Sequence, residues 1–244
     1  IASRFWLRLE ALSGGLERAD ALEGWARAID DPGEHAPAER PAPCPPVALR
    51  PRVIPVTDVD RLKAVPYAFY AKRMLRLRQL DPVDADPSAA WRGTAVHDVL
   101  EQWQKLDDGA PERLEPRVLA MLSKAHPMMR ALWQPRLIEA VRWIVREIAA
   151  RPDRRILAVE QEGRIEVAGV TLTGKFDRID GLGDGTLGVV DYKTGQPPST
   201  KAVKAGYSLQ LGLLGLIAER GGFAGISGRA SCFEYWSLAR RGGG

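Results

Sequence analysis

The sequence predicts an α/β fold, and three features indicate it. Two β-type segments, 170–179 and 186–193, flank a stretch rich in Gly and Asp, which predicts a hairpin. Strand-like segments also occur at 156–167 and 228–237. Apolar residues recur at helical spacing near 94–106 and 200–219. We therefore expect these strands to form one central sheet, with the helices packed against it.

The first 56 residues divide into two parts. Residues 1–30 carry apolar side chains at three- and four-residue steps, interrupted by a Gly-Gly pair, which predicts helices. Residues 31–56 contain eight prolines, a density that disfavours helix and central strand and favours an extended linker. We expect a globular domain over 57–244.

The domain begins with helical periodicity that continues through an aromatic and basic stretch. Tyr67, Tyr70 and Arg73 lie in this stretch, and such side chains can stack on bases and pair with phosphates. The alternative is that the aromatic rings belong to the core while the basic residues form a solvated face. Further along, 112–150 predicts two helices with a broad apolar side.

The predicted hairpin carries two carboxylates and an ammonium. Pairing of its strands would bring Asp177 and Asp191 together, and the spacing of two places Asp191 and Lys193 on one face. Carboxylates suit Mg²⁺, and a lysine beside a cation can position water and offset charge on a phosphate. This set suits phosphodiester hydrolysis. The alternative is a surface hairpin with an ordinary ion pair.

The residues around the hairpin resemble a known family. The pattern G-x-x-D-R-I-D, followed by an apolar run and D-Y-K-T-G, is similar to the PD-(D/E)xK nuclease superfamily, and within it to nuclease domains of the RecB/AddB type. The resemblance implies that Asp177, Asp191 and the main-chain carbonyl of Tyr192 bind Mg²⁺ or Mn²⁺. It implies that Lys193 is catalytic. It also implies a restriction-endonuclease-like core, with a mixed central sheet flanked by helices and extra helices on the N-terminal side.

The resemblance also implies functional roles for His97 and Gln210. RecB-like enzymes carry G-x-x-x-H-x-x-L-E, which this chain matches from Gly93, so His97 is expected to be a metal ligand. Without the resemblance, a lone helical histidine is more often structural. Gln210 matches the first residue of the family's Q-x-x-x-Y motif, but Leu214 replaces the tyrosine. Gln210 is therefore either an active-site residue or an ordinary polar residue of its helix. Some members of the superfamily use a carboxylate near Glu160, which makes this residue a weak site candidate, but an exposed charge on a strand is the more usual explanation.

Two other motifs are excluded. Some RecB-like nucleases hold an iron–sulfur cluster with a cysteine at the place of Val65, and valine cannot ligate iron. Only Cys232 lies downstream, so we predict no cluster. Residues 169–175 fit G-x-x-x-x-G-K, but Phe176 follows where a phosphate-binding loop needs Ser or Thr. This segment is predicted to be a strand.

Composition limits the class of protein. The 244 residues are 45% hydrophobic and 27% charged, typical of a globular protein, and no run of 18 apolar residues predicts a membrane span. The two cysteines, without C-x-x-C spacing, argue against a disulfide framework and a cysteine-based zinc site, so we expect a cytoplasmic protein. The net charge of +4 is compatible with nucleic acid.

The predicted function is metal-dependent DNA hydrolysis in the processing of double-strand breaks. The resemblance implies single-stranded DNA ends as substrate and an AddA-type helicase–nuclease subunit as partner, with 1–30 as the tail of a preceding helicase-like region. Arg178, beside Asp177, is a further candidate for DNA contact. The chain does not begin with Met, which favours a piece of a longer protein. The alternatives are a nuclease-fold module that binds single-stranded DNA without cutting it, and a free-standing RecB-like exonuclease.

Overall fold

A computed structural model describes residues 2–15, 19–31, 33–34, 37–78, 80 and 88–238, with the side chains of 88–92 and 129 outside the description. The chain divides into two compact units, Ile1–Pro43 and Cys44–Gly244. The first contains α1 (Arg4–Ser13) and α2 (Asp20–Asp30), which confirms the helices predicted there. No described residue of either helix is buried.

The second unit is built on a five-stranded sheet. Its strands are β1 (Val53–Pro55), β2 (Arg155–Val167), β3 (Val170–Gly181), β4 (Leu187–Lys193) and β5 (Ala230–Ser237). Strand β2 runs antiparallel to β3 along its whole length. On the other edge of β3, β1 pairs in parallel near one end and β4 pairs antiparallel near the other. Strand β5 is parallel to β4, so the sheet is mixed, as predicted.

Helices cover both faces of this sheet. The helices of this unit are α3 (Val56–Ala64), α4 (Pro66–Arg73), α5 (Ser88–Leu106), α6 (Pro111–Ser123), α7 (Pro127–Ala149), α8 (Thr200–Lys204) and α9 (Gln210–Glu219). Val190 of β4 belongs to a buried cluster with α5, α6 and α7, whereas Val189 belongs to a cluster with α9. Because neighbouring strand residues point to opposite faces, the two clusters lie on opposite sides of the sheet. Among the described residues, no helix is long and apolar enough to cross a membrane.

The structure corrects some predicted boundaries. The linker predicted over 31–56 ends too late, because Val53–Pro55 pairs with β3 and Val56 already begins α3. A three-residue strand ending in proline gives almost no alternating pattern, and proline is tolerated at a sheet edge. The helix predicted over 200–219 is two helices, α8 and α9, separated by a turn in which Gly206 has φ of 72°.

The Gly-rich segment that mimics a phosphate-binding loop is strand β3. Ala168 and Gly169 form the two-residue turn between β2 and β3, with φ of 49° and 77°. Positive φ at both positions is typical of the tightest hairpin turns. Gly174 then lies against α9, where a Cβ atom would come within 2.7 Å of a Leu214 methyl carbon. The prediction of a strand at this place is confirmed.

Candidate active site

The β3–β4 hairpin brings the predicted acidic residues to one end of the sheet. Arg178 pairs with Val190, and the pairing continues to Gly181 and Leu187. One residue beyond this register, the main-chain N–H of Tyr192 donates a 2.6 Å hydrogen bond to Oδ2 of Asp177. Asp177 therefore lies against the part of β4 that carries the D-Y-K motif.

Helix α5 places His97 beside Asp177. The Nδ1 atom of His97 lies 3.4 Å from Oδ1 of Asp177 and 3.2 Å from Oε1 of Glu160 on β2. One ligand atom from each of the three residues lies within 4.8 Å of the others. All three side chains are largely buried, with exposures of 28% for His97, 12% for Asp177 and 7% for Glu160. Three separate elements thus meet at one point.

Strand β4 carries the second half of the site. Nζ of Lys193 lies 2.7 Å from Oδ2 of Asp191, and the side-chain amide of Gln210 on α9 donates a 2.8 Å hydrogen bond to Oδ1. The Asp191 side chain is 4% exposed and that of Lys193 is 29% exposed. The structure therefore holds the Asp191 carboxylate from two sides and leaves part of the ammonium open to solvent.

The charges in the site perturb one another. Burial alone would lower the pKa of His97, but hydrogen bonds and charge attraction from Asp177 and Glu160 raise it to about 10. Burial, and then repulsion by Asp177, raise the pKa of Asp191 to about 6, against the opposing effects of Lys193 and His97. A cation bound between the Asp177 and Asp191 carboxylates would relieve this repulsion and favour their charged forms.

The comparison with known proteins supports the geometry. Residues 54–243 match the family described as the PD-(D/E)XK nuclease superfamily. This chain belongs to the PD-(D/E)XK nuclease superfamily. Members are nuclease-type hydrolases that generally use divalent metal ions. The mixed sheet with helices on both faces agrees with the restriction-endonuclease-like fold of that superfamily.

Relatives with similar sequences occur in Rickettsia. An uncharacterized protein of Rickettsia bellii is 28% identical over 187 residues, covering 71% of this chain and 22% of the relative. One of Rickettsia felis is 29% identical over 189 residues, with the same two coverages. One of Rickettsia conorii is 26% identical over 242 residues, covering 91% of this chain and 28% of the relative. The chain thus spans about a quarter of the length of these relatives.

The side chains of His97, Glu160 and Asp177 offer nitrogen and oxygen ligands that fit a hard or borderline divalent cation. Mg²⁺ binds ligands at about 2.0–2.1 Å in octahedral geometry, so neighbouring ligand atoms lie about 3 Å apart. The separations of 3.2 and 3.4 Å from His97 Nδ1 to Glu160 and Asp177 are close to that spacing. An imidazole among carboxylates also suits Mn²⁺. The prediction of Mg²⁺ or Mn²⁺ therefore agrees with the donor chemistry.

The structure groups the predicted ligands differently from the sequence prediction. We expected His97, Asp177 and Asp191 to form one set, but the group whose atoms lie within 4.8 Å contains Glu160 in place of Asp191. Asp191 lies beside that group, next to Tyr192, whose N–H donates to Asp177, and its carboxylate contacts Lys193 and Gln210. Asp177 connects the two halves of the site.

The prediction that Arg178 contacts DNA is wrong. Arg178 is 1% exposed, and its guanidinium forms a 2.9 Å hydrogen bond to Asp180 and a 3.0 Å hydrogen bond to the Tyr192 hydroxyl. The guanidinium also lies 4.2 Å from the ring centroid of Trp236. Arg178 therefore holds the side chains of Tyr192 and Trp236 from inside the protein, where it is not available to bind nucleic acid.

The other predicted DNA contacts lie on α4. Tyr67 is 48% exposed, Tyr70 is partly buried, and their ring centroids are 6.1 Å apart. Arg73 forms an ion pair with the fully buried Asp58, which Lys72 also contacts at 3.0 Å. The aromatic rings are therefore accessible, whereas Arg73 is partly occupied by a structural role.

Two neighbours of the site were not predicted. The Lys193 ammonium lies 5.5 Å from the ring centroid of Tyr235, which follows from the β4–β5 pairing of Asp191 with Tyr235. Lys175 contacts Oε2 of Glu160 at 2.7 Å. The spacing of two between Lys175 and Asp177 was a usable signal, but no sequence pattern indicates which residues of β5 adjoin β4.

Proposed function

We propose that this chain is a metal-dependent deoxyribonuclease that hydrolyses phosphodiester bonds at single-stranded DNA ends. The observation that carries the proposal is the Lys193–Asp191 pair, with Nζ and Oδ2 2.7 Å apart, at the end of the sheet where Asp177 and His97 also meet. A structural ion pair needs no imidazole and no further carboxylate beside it. An ammonium among metal-binding groups suits phosphodiester hydrolysis, because it can offset the negative charge that develops on the phosphate.

In this proposal the cation is held by His97, Asp177, Asp191 and the carbonyl oxygen of Tyr192. When bound, Mg²⁺ or Mn²⁺ polarises the scissile phosphate and lowers the pKa of a water molecule. The hydrogen bond from the Tyr192 N–H to Asp177 fixes one carboxylate oxygen and leaves the other directed at His97. Superfamily membership and the donor chemistry support this assignment.

Lys193 and Gln210 have supporting roles in the reaction. The partly exposed ammonium of Lys193 positions the attacking water and offsets the negative charge that develops on the phosphate. The amide of Gln210 occupies Oδ1 of Asp191, so the orientation of that carboxylate is fixed before substrate binds.

The DNA strand is proposed to approach over α3 and α4. Asp60 of α3 accepts a 2.8 Å hydrogen bond from the main-chain N–H of Leu209, the residue before Gln210. The helical pair therefore adjoins the Gln210 side of the site. Tyr67 and Tyr70 offer partly exposed rings on which bases could stack. Three cations, Arg61, Lys72 and Arg73, contact the single carboxylate of Asp58, so this group carries excess positive charge that can attract phosphates.

The wider proposal is that the protein processes double-strand break ends in the cytoplasm with an AddA-type helicase–nuclease partner. The RecB/AddB-like motifs support it, and so does the finding that the chain spans only 22–28% of its relatives. The full-length protein, purified from its native cells, should then carry ATP-dependent DNA unwinding. Preparations that cut DNA but unwind none would contradict this partnership and favour a free-standing exonuclease.

The nuclease assignment is tested on the purified chain with end-labelled single-stranded DNA. Wild-type protein should cleave it with Mn²⁺ and not with EDTA, and Lys193→Ala should slow cleavage by about 10²–10³-fold, as loss of a preorganised charge does. Lys204→Ala is the matched control, since Lys204 is exposed on α8. Binding without Mn²⁺-dependent cleavage would indicate a binding module, and full activity of Lys193→Ala would refute the role of that lysine.

A further inference from the structure

Tyr207 leaves most of its surface open to solvent in the turn between α8 and α9. It is 68% exposed, more than any other tyrosine of the chain, and Tyr67 at 48% comes next. Gln210, whose amide contacts Asp191, follows three residues later. Because three residues span at most about 11 Å, Tyr207 lies close to the candidate active site. A tyrosine that only stabilises the fold buries its ring, so this ring calls for another explanation.

The main chain around Tyr207 is fixed by two helices. The Tyr207 N–H donates a 2.8 Å hydrogen bond to the carbonyl of Ala202 in α8. Two residues later, the Leu209 N–H donates a 2.8 Å hydrogen bond to the carboxylate of Asp60 in α3. The ring of Tyr207 is therefore exposed on a backbone that the fold already positions, which limits the conformational entropy lost when a ligand binds.

The same turn reaches the proposed catalytic lysine. The hydroxyl of Ser208, the residue after Tyr207, lies 3.2 Å from the hydroxyl of Tyr235. The ring centroid of Tyr235 lies 5.5 Å from Nζ of Lys193. Tyr207 is thus connected, through its neighbour and one further side chain, to the ammonium that is proposed to act on the scissile phosphate. A ligand on the Tyr207 ring would adjoin a phosphate held at Lys193.

A lysine of α3 supplies a positive charge beside the ring. Nζ of Lys63 donates a 2.7 Å hydrogen bond to the carbonyl of Gly206 and lies 5.8 Å from the ring centroid of Tyr207. A Cβ atom at Gly206 would lie 3.0 Å from that Nζ, so the glycine leaves room for the ammonium. Lys63 is itself exposed, and an ammonium has three N–H donors, so it can also bind an anion from solution.

We infer that Tyr207 is a stacking platform for one unpaired base of the DNA strand, and that Lys63 pairs with an adjoining phosphate. Proteins that bind single strands combine aromatic rings with cations in this way. Lysine is depleted at protein–protein interfaces, which makes a protein partner the poorer fit to this pair. The inference rests on the proposed function, because it names a contact that selects single-stranded ends. A base inside a duplex is stacked between its neighbours and is closed to the ring.

The first test compares cleavage of single-stranded DNA by Tyr207 variants of the 244-residue chain with Mn²⁺. Tyr207→Ala should lower kcat/KM by about 5- to 100-fold, as loss of one base–aromatic stack does, mainly through a higher KM. Tyr207→Leu keeps apolar bulk without a planar ring and should lose as much, whereas Tyr207→Trp should stay near wild type. Trp25→Ala is the matched control, because Trp25 is 67% exposed in the other compact unit; it should stay within about twofold of wild type.

The second test removes the base instead of the ring. A series of oligonucleotides carries one abasic residue at successive distances from the labelled end. At one position, wild-type protein should lose the same factor in kcat/KM that Tyr207→Ala loses on intact DNA. On that substrate Tyr207→Ala should cost no more than about twofold, because the ring and the base act as one pair. A ring with only a structural role would cost the same on every substrate.

The outcomes distinguish the stacking platform from the nuclease assignment. If wild-type protein cleaves DNA and Tyr207→Ala cleaves it equally well, or loses equally on all abasic substrates, the inference is overturned and the proposed function stands. An equal loss in Trp25→Ala would also overturn the inference, since any exposed aromatic residue would then have the same effect. If wild-type protein does not cleave DNA with Mn²⁺, both are overturned.

Discussion

Removing one partner of the buried pair of Arg178 and Asp180 should be among the most destabilising single changes in the domain. Each residue is 1% exposed, and the guanidinium Nε and Nη2 both lie 2.9 Å from the carboxylate. Arg178→Met removes the cation and leaves a buried carboxylate without its partner, which typically costs about 3–5 kcal/mol. That is a large part of the 5–15 kcal/mol that stabilises a typical domain.

The cost of Arg178→Met should depend on pH. Burial already raises the pKa of Asp180 although Arg178 opposes it, and without Arg178 the pKa should rise further. In the variant, Asp180 has a higher pKa in the folded state than in the unfolded chain, so the folded state holds a proton that the unfolded chain has already released. The free energy of unfolding of the variant therefore falls as pH rises. The difference from wild type should therefore be larger at pH 8 than at pH 5.

Urea unfolding followed by circular dichroism at both pH values measures this effect. Arg142→Met is the matched control, because Arg142 forms an equally short pair with Glu115, at 2.8 Å, but is 60% exposed. The control should unfold close to the wild-type midpoint at either pH. A cost below about 1 kcal/mol for Arg178→Met at pH 8, or one independent of pH, would show that Asp180 is not held as a buried carboxylate.

Three further predictions concern the contacts of Gly174, Gln210 and Glu234. Gly174→Ala should destabilise the domain by about 1–3 kcal/mol in urea, because its Cβ would lie 2.7 Å from a methyl carbon of α9; an unchanged midpoint would contradict this close packing. Gln210→Leu should slow Mn²⁺-dependent cleavage by about 10–100-fold by releasing Asp191; wild-type rates would refute its role. Burial raises the pKa of Glu234, but Arg154 and Trp236 lower it more strongly, to about 2. The stability advantage of wild type over Arg154→Met should be complete above about pH 4.5 and disappear as pH falls towards 2, and an advantage that persists at pH 2 would contradict the pairing.

The sequence was sufficient for those parts of the fold and site that depend on local pattern. The hairpin that carries Asp177 and Asp191 was predictable because each strand has its own periodicity and the connection is rich in glycine. His97 required the family motif, because its helix carries no local sign of chemistry. Strand β1 was not predicted, because a segment of three residues shows too little alternation to distinguish it from a linker.

The placement of Arg178 and Glu160 could not be read from the sequence, because it depends on a strand irregularity. Prediction from alternation assumes that the period of two continues through β2 and β3. Continued from Phe176, that period would put Arg178 in the apolar cluster with α9. The structure instead places Arg178 against Tyr192 and Trp236 on the other face. No residue type in the segment signals this reversal, since the residue of β2 with a left-handed backbone is Glu160, with φ of 50°, rather than a glycine.

The reversal of alternation explains how one side chain can join both halves of the site. The side-chain alternation of β3 reverses at Asp177. The two carboxylate oxygens of Asp177 have different partners. Oδ1 lies near His97 of α5, and Oδ2 accepts the hydrogen bond from the Tyr192 N–H of β4. The same reversal of side-chain alternation keeps Arg178 out of the apolar cluster that packs against α9. Because one irregularity serves both the core and the site, a change that straightens β3 would bury an arginine among apolar side chains and separate Asp177 from His97 at the same time.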